Sequence, residues 1–483
     1  MAFQRIAALA LLCAACSEST PGRKLASGLA RGLIAREGEV AFLLAARRPE
    51  DPGVPEDLLT GDLWLDDRKV GSGVSSGEGA YAFSPASGEL AFLASWRFSQ
   101  GEGDLWVAVR DQAARLVAKE ARTFAWSSRG ELGWVARDAA GVGERSLKLP
   151  GAQAIAWSAD GKRLAVRASA AAGGKLWVVD GPSAAPREIA AATSDFAFAP
   201  DGTLAALGPP PAKGGDRPLL LDGHRVAEAT AFSFSPEGKE IALLSTAQRP
   251  GEANGDLYRM PKGGAPVQVA SRVSGWRWSA GGDLLCLAHF DLRSRAGTLT
   301  VSTPGAPPKE IARRVQGFSL FGRRVLYLVL APTKGDFRVE LWGFDLAAPQ
   351  APPHRIDEGV YGWDHSPDGS ALYYKARCSG GPRSCALLRA PFSGGAPQLL
   401  AADVAGFDLS RDGARILVQQ PHRGAPRAVD LAVISATGPP PGTVKPFVLE
   451  ADPASRFADA GGRKVAYAVI AAGKGGVFLA DVP

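Results

Sequence analysis

Few residues in this chain stand at spacings that do chemistry. Gly73-Val-Ser75-Ser-Gly77 matches the G-x-S-x-G string that sets a nucleophilic serine on a strand-to-helix elbow. An elbow needs a strand before it, a helix after it, and acid and histidine partners further on. Here Glu78-Gly79-Ala80 follows, then Tyr81-x-Phe83 with a period of two, so the string reads as a Gly/Ser loop. The five histidines, His224, His289, His354, His365 and His422, form neither H-E-x-x-H nor an i, i+4 pair. A zinc site gathered from distant segments would leave no such spacing. Gly161-Lys162 and Gly238-Lys239 lack the Ser or Thr that completes a phosphate loop, and there is no Asp-rich calcium loop. The sequence therefore assigns no catalytic residue, no metal ligand and no cofactor.

The cysteines are more informative. Met1-Ala-Phe-Gln-Arg5 is a short basic opening, and Ile6 to Ala15 is apolar, too short to span a bilayer but right for a signal-peptide core. Leu12-Cys13-Ala14-Ala15-Cys16 resembles a bacterial lipoprotein signal, although Cys13 stands where that pattern prefers Leu. The resemblance implies that residues 1–15 are removed, that Cys16 is lipidated, and that residues 16–30 form a tether to the cell envelope. Ordinary secretion is the alternative. A redox Cys-x-x-Cys is disfavoured, because such pairs sit in a βαβ context. Cys286 lies in an apolar run and reads as a small buried hydrophobe. Cys378 and Cys385 flank a six-residue loop and are expected to pair in an oxidising envelope, two free thiols being the alternative.

The elements that hold these residues follow from composition. In 483 residues there are 58 Gly and 36 Pro, about a fifth of the chain, with 11 Trp and 20 Phe spread along it. Average usage of Gly plus Pro is nearer 12%. That much punctuation excludes a helical protein, the even aromatics exclude low-complexity disorder, and no Gly-X-Y period exists. The 15 Lys and 40 Arg exceed the acids by only six charges and never run beyond two in a row, so nucleic acid is not an expected partner.

A module recurs along the chain. Phe196-Ala-Phe-Ala-Pro-Asp-Gly202, Phe232-Ser-Phe-Ser-Pro-Glu-Gly238 and Trp363-Asp-His-Ser-Pro-Asp-Gly369 each lead into an apolar run. Similar frames surround Gly38, Gly88, Gly130, Gly161, Gly282, Gly322, Gly413 and Gly462, at a mean spacing of about 42 residues, within the ~40–45 of a four-stranded propeller blade. A second signature follows as Gly61-Asp-Leu-Trp64, Gly103-Asp-Leu-Trp106 and Gly255-Asp-Leu-Tyr258. Each module holds four strand-sized pieces, apolar on both faces as strands between stacked sheets must be. The expected fold is an all-β propeller of about ten to eleven four-stranded modules. The pattern resembles the TolB-like β-propeller repeats, whose Ser-Pro-Asp-Gly turn stands here as Ser366-Pro367-Asp368-Gly369. Since rings usually close with four to eight blades, two tandem rings are expected, residues 31–230 and 231–483, with one large irregular ring as the alternative. The Gly130 module shows no clear fourth strand, and the last module lacks an outer strand that Lys24–Ala30 would supply.

Strands alternate in direction, so the loops between second and third strands gather at one end of the modules. In the second half these loops carry Arg293, Arg295, Lys334, Arg338, Lys375, Arg377, Arg383, Arg423, Arg427 and Lys474 against Asp291 and Asp336. An ordinary solvated surface is the bland reading of that excess. The functional one is a non-enzymatic, lipid-anchored envelope propeller, in the periplasm or on the outer membrane. Its loop face would bind an envelope protein or an anionic polymer. The alternative is a secreted propeller hydrolase or lyase acting on polysaccharide or peptide, with its groups spread over several modules. The prolyl-oligopeptidase enzymes also carry propellers, but the last module here leaves no room for their hydrolase domain.

Overall fold

The computed structural model describes residues 21–28, 30–47, 58–169, 174–211, 215–246, 254–332, 337–379, 381–438, 444–470 and 475–482. Every element among them is a β-strand, and no helix is long and apolar enough to cross a membrane. The strands form antiparallel sheets whose order follows the chain, as in a β-propeller. Five sheets are separate four-stranded blades, built on the modules of Gly38, Gly161, Gly202, Gly238 and Gly369. The rest corrects the expectation of ten to eleven separate modules: the remaining strands are merged into two sheets of seven and one of eight. The merging has a simple cause. Where no loop breaks the link between modules, the outer strand of one runs straight on as the inner strand of the next. Strand Arg115–Trp126 pairs first with Glu102–Ala108 and then with Leu132–Ala136. Lys309–Phe321 does the same between Ala296–Ser302 and Arg324–Pro332. The Gly130 module does have a fourth strand, the short Arg145–Lys148.

The outer strand of the last module comes from the other end of the chain. Arg23–Ser27 pairs antiparallel with Gly476–Asp481, so the expected tether gives way to a strand at Arg23. The core lies between successive sheets. Along Leu284–Asp291, Leu284, Cys286 and Ala288 face back toward Ala242 and Leu257, while Leu285 and Leu287 face forward toward Val325 and Tyr327. This is the two-residue period of a strand buried on both faces. Ala205, Leu207 and Leu219 share a cluster with Ile241, Leu243 and Met260, so packing is continuous across residues 230 and 231. Leu25, Leu33, Val40 and Phe42 likewise share one with Ala466, Ala468 and Val477, which packs the last module on the first.

The repeated signatures are structural devices. In the Ser-x-Asp-Gly turns the serine is buried at Ser158 and Ser410, each 2% exposed, and half-buried at Ser366. Its Oγ accepts from the N–H five residues on, Arg163 to Ser158 and Arg415 to Ser410, both at 2.9 Å. It donates to the turn carboxylate, Ser366 to Asp368 at 2.6 Å. The glycine of Gly-Asp-Leu-Trp is required by close approach. A Cβ on Gly103 would stand 2.6 Å from the Ala94 carbonyl, and one on Gly61 2.7 Å from that of Leu44. The aspartate of the same signature supports a kink in the fourth strand. Asp104 accepts from the N–H of Glu120 and Asp256 from that of Arg272, both at 3.4 Å, and both donors have positive φ. Tryptophans stitch neighbouring inner strands: the Trp126 and Trp157 indoles donate to the carbonyls of Ala82 and Ala125, each at 3.0 Å.

Candidate functional site at the seam

Where the two ends of the chain meet, the inner wall is thin. The inner strand of the last module is only Arg456–Phe457, because Pro453-Ala454-Ser455 precedes it in a turn that Asp452 caps through the Ala454 N–H at 2.7 Å. Gln419, from the neighbouring module, replaces the missing ladder. Its Nε2 donates to the carbonyls of Pro453 at 2.9 Å and Ser455 at 3.3 Å. Two cavities flank this crossing, and Gln419 and Pro453 line both.

The first, about 490 Å³, opens toward the Ser-Pro-Asp-Gly turns and is walled by Arg36, Phe407, Asp408, Arg411, Arg456 and Phe457. Burial pushes the Asp408 carboxyl above the usual carboxylate range, and the charge of Asp364 adds to the rise. The Phe457 N–H, at 3.1 Å, and the Arg456 guanidinium pull the other way and do not cancel it. Arg36 is spent on the carbonyls of Pro85 and Ser87. This is a mixed-charge cavity in which burial raises the pKa of one carboxyl, Asp408.

The second, about 640 Å³, lies at the opposite end, among the loops between second and third strands. Arg31, Arg383 and Arg427 line it against Asp452, with Ala30, Ala405, Val429 and Ile470 as apolar wall. Arg31 and Arg427 are exposed, and neither has a carboxylate within ion-pair distance among the described residues. Arg383 is steered by a hydrogen bond to the Pro426 carbonyl and by the disulfide that joins Cys378 to Cys385 around it.

The structure thus brings two of the loop-face arginines, Arg383 and Arg427, around one concavity, and the other described basic residues of those loops do not line it. Arg293 and Arg295 are exposed on the loop after Leu284–Asp291. Arg423 is exposed beside His422, whose Nδ1 is 2.7 Å from Asp430 and Nε2 3.5 Å from Glu450. Arg377 stands 3.6 Å from Asp357. Lys375 is half-buried; its ammonium donates to the carbonyls of Pro382 and Ala405, and burial lowers its pKa. Cys16, Lys334, Lys474 and the side chain of Arg338 lie outside the described residues. Arg31 was missed because it opens the inner strand Arg31–Arg36 of the Gly38 module, outside the loops between second and third strands; only pairing of the chain ends brings it to this cavity. The G-x-S-x-G string is no elbow and not a loop either. Gly73 and Ser75 end the strand Arg68–Ser75, and the Ser75 Oγ accepts from Gly77 N at 3.0 Å. His365 stacks on Phe321 at 4.5 Å and donates its Nδ1–H to the Ser366 carbonyl, a packing role. Cys286 is buried, its thiol pushed up to about 12, and inert.

No family model matches the chain, and no curated protein does either. Among solved structures it is similar to a eukaryotic initiation factor at 10% identity and TM-score 0.42, over 73% of this chain and 93% of that one. It is also similar to the tricorn protease at 13% identity and TM-score 0.28, over 92% of this chain and 46% of the protease. A third is the acylaminoacyl peptidase of Pyrococcus horikoshii, at 12% and 0.31, over 87% and 52%.

Proposed function

We propose that the chain is a lipid-anchored β-propeller of the bacterial cell envelope, built on TolB-like repeats, which holds an acidic polymer at the basic cavity of its loop face. One observation carries the reading. Three guanidinium groups from distant parts of the chain line one cavity of about 640 Å³, with Asp452 the single carboxylate among the described lining residues. Like charges gathered in a concavity repel one another until an anion neutralises them, and the planar fork of arginine pairs bidentately with carboxylate or phosphate. A cavity of this volume suits a monomer unit of a polymer better than a flat acidic patch on a protein.

The scaffold behind it is read as one closed ring rather than two in tandem, each merged sheet acting as two blades. Every core cluster joins segments that are neighbours in the chain or lie at its two ends. A wide ring also accounts for inner strands such as Trp276–Trp278, whose central Arg277 remains exposed.

The test is binding of polygalacturonate at low salt. An Arg31→Ser, Arg427→Ser double variant is expected to bind at least roughly tenfold more weakly, about 1.4 kcal/mol. Its melting temperature should be unchanged, since exposed unpaired arginines contribute little to stability. Wild-type binding should also weaken steeply as salt passes 0.1 M, where the screening length is about 10 Å. Equal binding by variant and wild type rejects the proposal. The enzymatic alternative is favoured by one observation, the raised Asp408 carboxyl in the adjoining cavity. If wild-type protein shortens the polymer and Asp408→Asn does not, that alternative replaces the binding reading.

A further inference from the structure

We infer that the protein is held with the turn end of its seam nearest the bilayer and the basic cavity facing away. The partner of that cavity is then an anionic polymer off the membrane, not the headgroups of the anchoring bilayer. The inference rests on the lipid-anchor reading of Cys16 and takes its geometry from the closing strand.

Arg23–Ser27 runs antiparallel to Gly476–Asp481, with Arg23 opposite Leu479 and Ser27 opposite Gly476. Gly476 follows the loop end, where Ile470 lines the basic cavity, whereas Asp481 pairs with Lys464 beside the turn of Asp459. The chain therefore enters the ring at the turn end and runs toward the loop end. It is fastened from its first described residues. The Tyr467 hydroxyl donates to the Pro21 carbonyl. Gly22 has φ of +90° and lies so close to the last strand that a Cβ there would stand 2.5 Å from the Leu479 carbonyl. Arg23 pairs with Asp67 at 3.0 Å, on the turn end of the first module.

Chain length then decides the orientation. From Cys16 to the fastened Pro21 there are five steps, at most about 18 Å when fully extended. The six residues Gly476–Asp481 make five steps and rise about 17 Å, before any loop is added. To bring the loop end to the membrane, the tether would have to climb that whole height and still reach the lipid. The climb would leave about 1 Å of it for the loops and the lipid, whereas the turn end is within reach with slack remaining.

The test uses full-length lipidated protein in phosphatidylcholine vesicles that carry a headgroup-linked fluorescent acceptor. A donor is placed at Arg463→Cys, on the turn end where the side chain is 81% exposed, or at Arg423→Cys on the loop end. Labelling is selective because Cys286 is buried and Cys378 and Cys385 are paired. Energy transfer is expected to be several-fold stronger from position 463. Equal transfer, or stronger transfer from position 423, overturns the inference. Protein that stays off the vesicles altogether overturns it through its premise. Polygalacturonate binding is measured without vesicles, so failure of the cavity reading is seen separately.

Discussion

The hydroxyl of Tyr467 donates to the carbonyl of Pro21, a residue 446 positions earlier in the chain. That contact ties together segments from the two ends of the described chain. On the other face of the Tyr467 strand a cluster draws Leu25 and Phe42 from one end of the chain and Ala466 and Val477 from the other, so loss of the closing strand exposes core and not just an edge.

Gly22→Val is accordingly expected to destabilise the protein. The position needs a positive φ, and the new Cβ would meet backbone 2.5 Å away. Strain of this kind costs about 1–3 kcal/mol. Tyr467→Phe removes a single hydrogen bond and should cost about 1 kcal/mol. Both are read from denaturant unfolding midpoints. Midpoints equal to wild type in both variants would show that the closing strand contributes nothing to stability.

A second weak point is polar. Arg259 is 7% exposed and ties two modules together. It donates to Glu240 at 2.9 Å, to the carbonyls of Ser302 at 2.7 Å and Gly282 at 2.9 Å, and lies 5.3 Å from the Trp278 ring centre. Removing the buried partner leaves two carbonyls and the partly exposed Glu240 without it, so Arg259→Met should cost about 2–4 kcal/mol, somewhat less than for a fully buried pair. Arg259→Lys should recover little, because one ammonium cannot serve a carboxylate and two carbonyls held in a fork. The exposed pair Arg225–Glu228 is the control, and Arg225→Met should change stability by less than about 1 kcal/mol. Equal losses at 225 and 259 would refute the argument from burial.

The repeated turn makes stability depend on acid. The Ser366 hydroxyl, with the N–H and hydroxyl of Ser370, holds the Asp368 carboxyl well below its usual 3.8, at about 2. A folded-state pKa below the unfolded one contributes stability that is full above 3.8 and is lost as pH falls toward 2. Asp368→Asn should lower the melting temperature at pH 7 and differ little from wild type at pH 2. A gap that stays constant across that interval would show that the carboxylate charge plays no part.

Much of this scaffold was legible in the sequence, and the reasons are local. The Ser-Pro-Asp-Gly turn and the Gly-Asp-Leu-Trp strand advertise themselves because each residue meets a need within its own module: a buried hydroxyl, a positive φ, a backbone too close for a Cβ. The merging of sheets was not legible, because nothing in Arg115–Trp126 marks the residue at which an outer strand becomes an inner one. The cavity was half legible. Arg383 and Arg427 stood in loops of obvious placement, but Arg31 joins them only through closure of the chain ends, and Gln419 matters only because the inner strand at Arg456 is two residues long. Such facts belong to the ring, not to any module.

The disulfide links the scaffold to the proposed site. Cys378 and Cys385 enclose Arg383, and the seven-residue separation gives roughly 2–3 kcal/mol of loop-closure stabilisation at most. Reduction should therefore leave the ring folded while freeing the loop that aims Arg383 at the cavity. Ordering that loop again on binding has an entropic cost of about 1–2 kcal/mol for each backbone residue fixed. Affinity for polygalacturonate is expected to fall about tenfold in a Cys378→Ser, Cys385→Ser variant, with β-sheet circular dichroism unchanged. Arg383→Ser should lower affinity similarly, and adding it to the double cysteine variant should do little more, because both changes remove the same guanidinium from the cavity. Mass mapping of unreduced wild-type protein should recover the two cysteines in one crosslinked peptide. Additive losses would mean that the disulfide acts on binding by some route other than Arg383, and recovery of both thiols in free form would remove the premise.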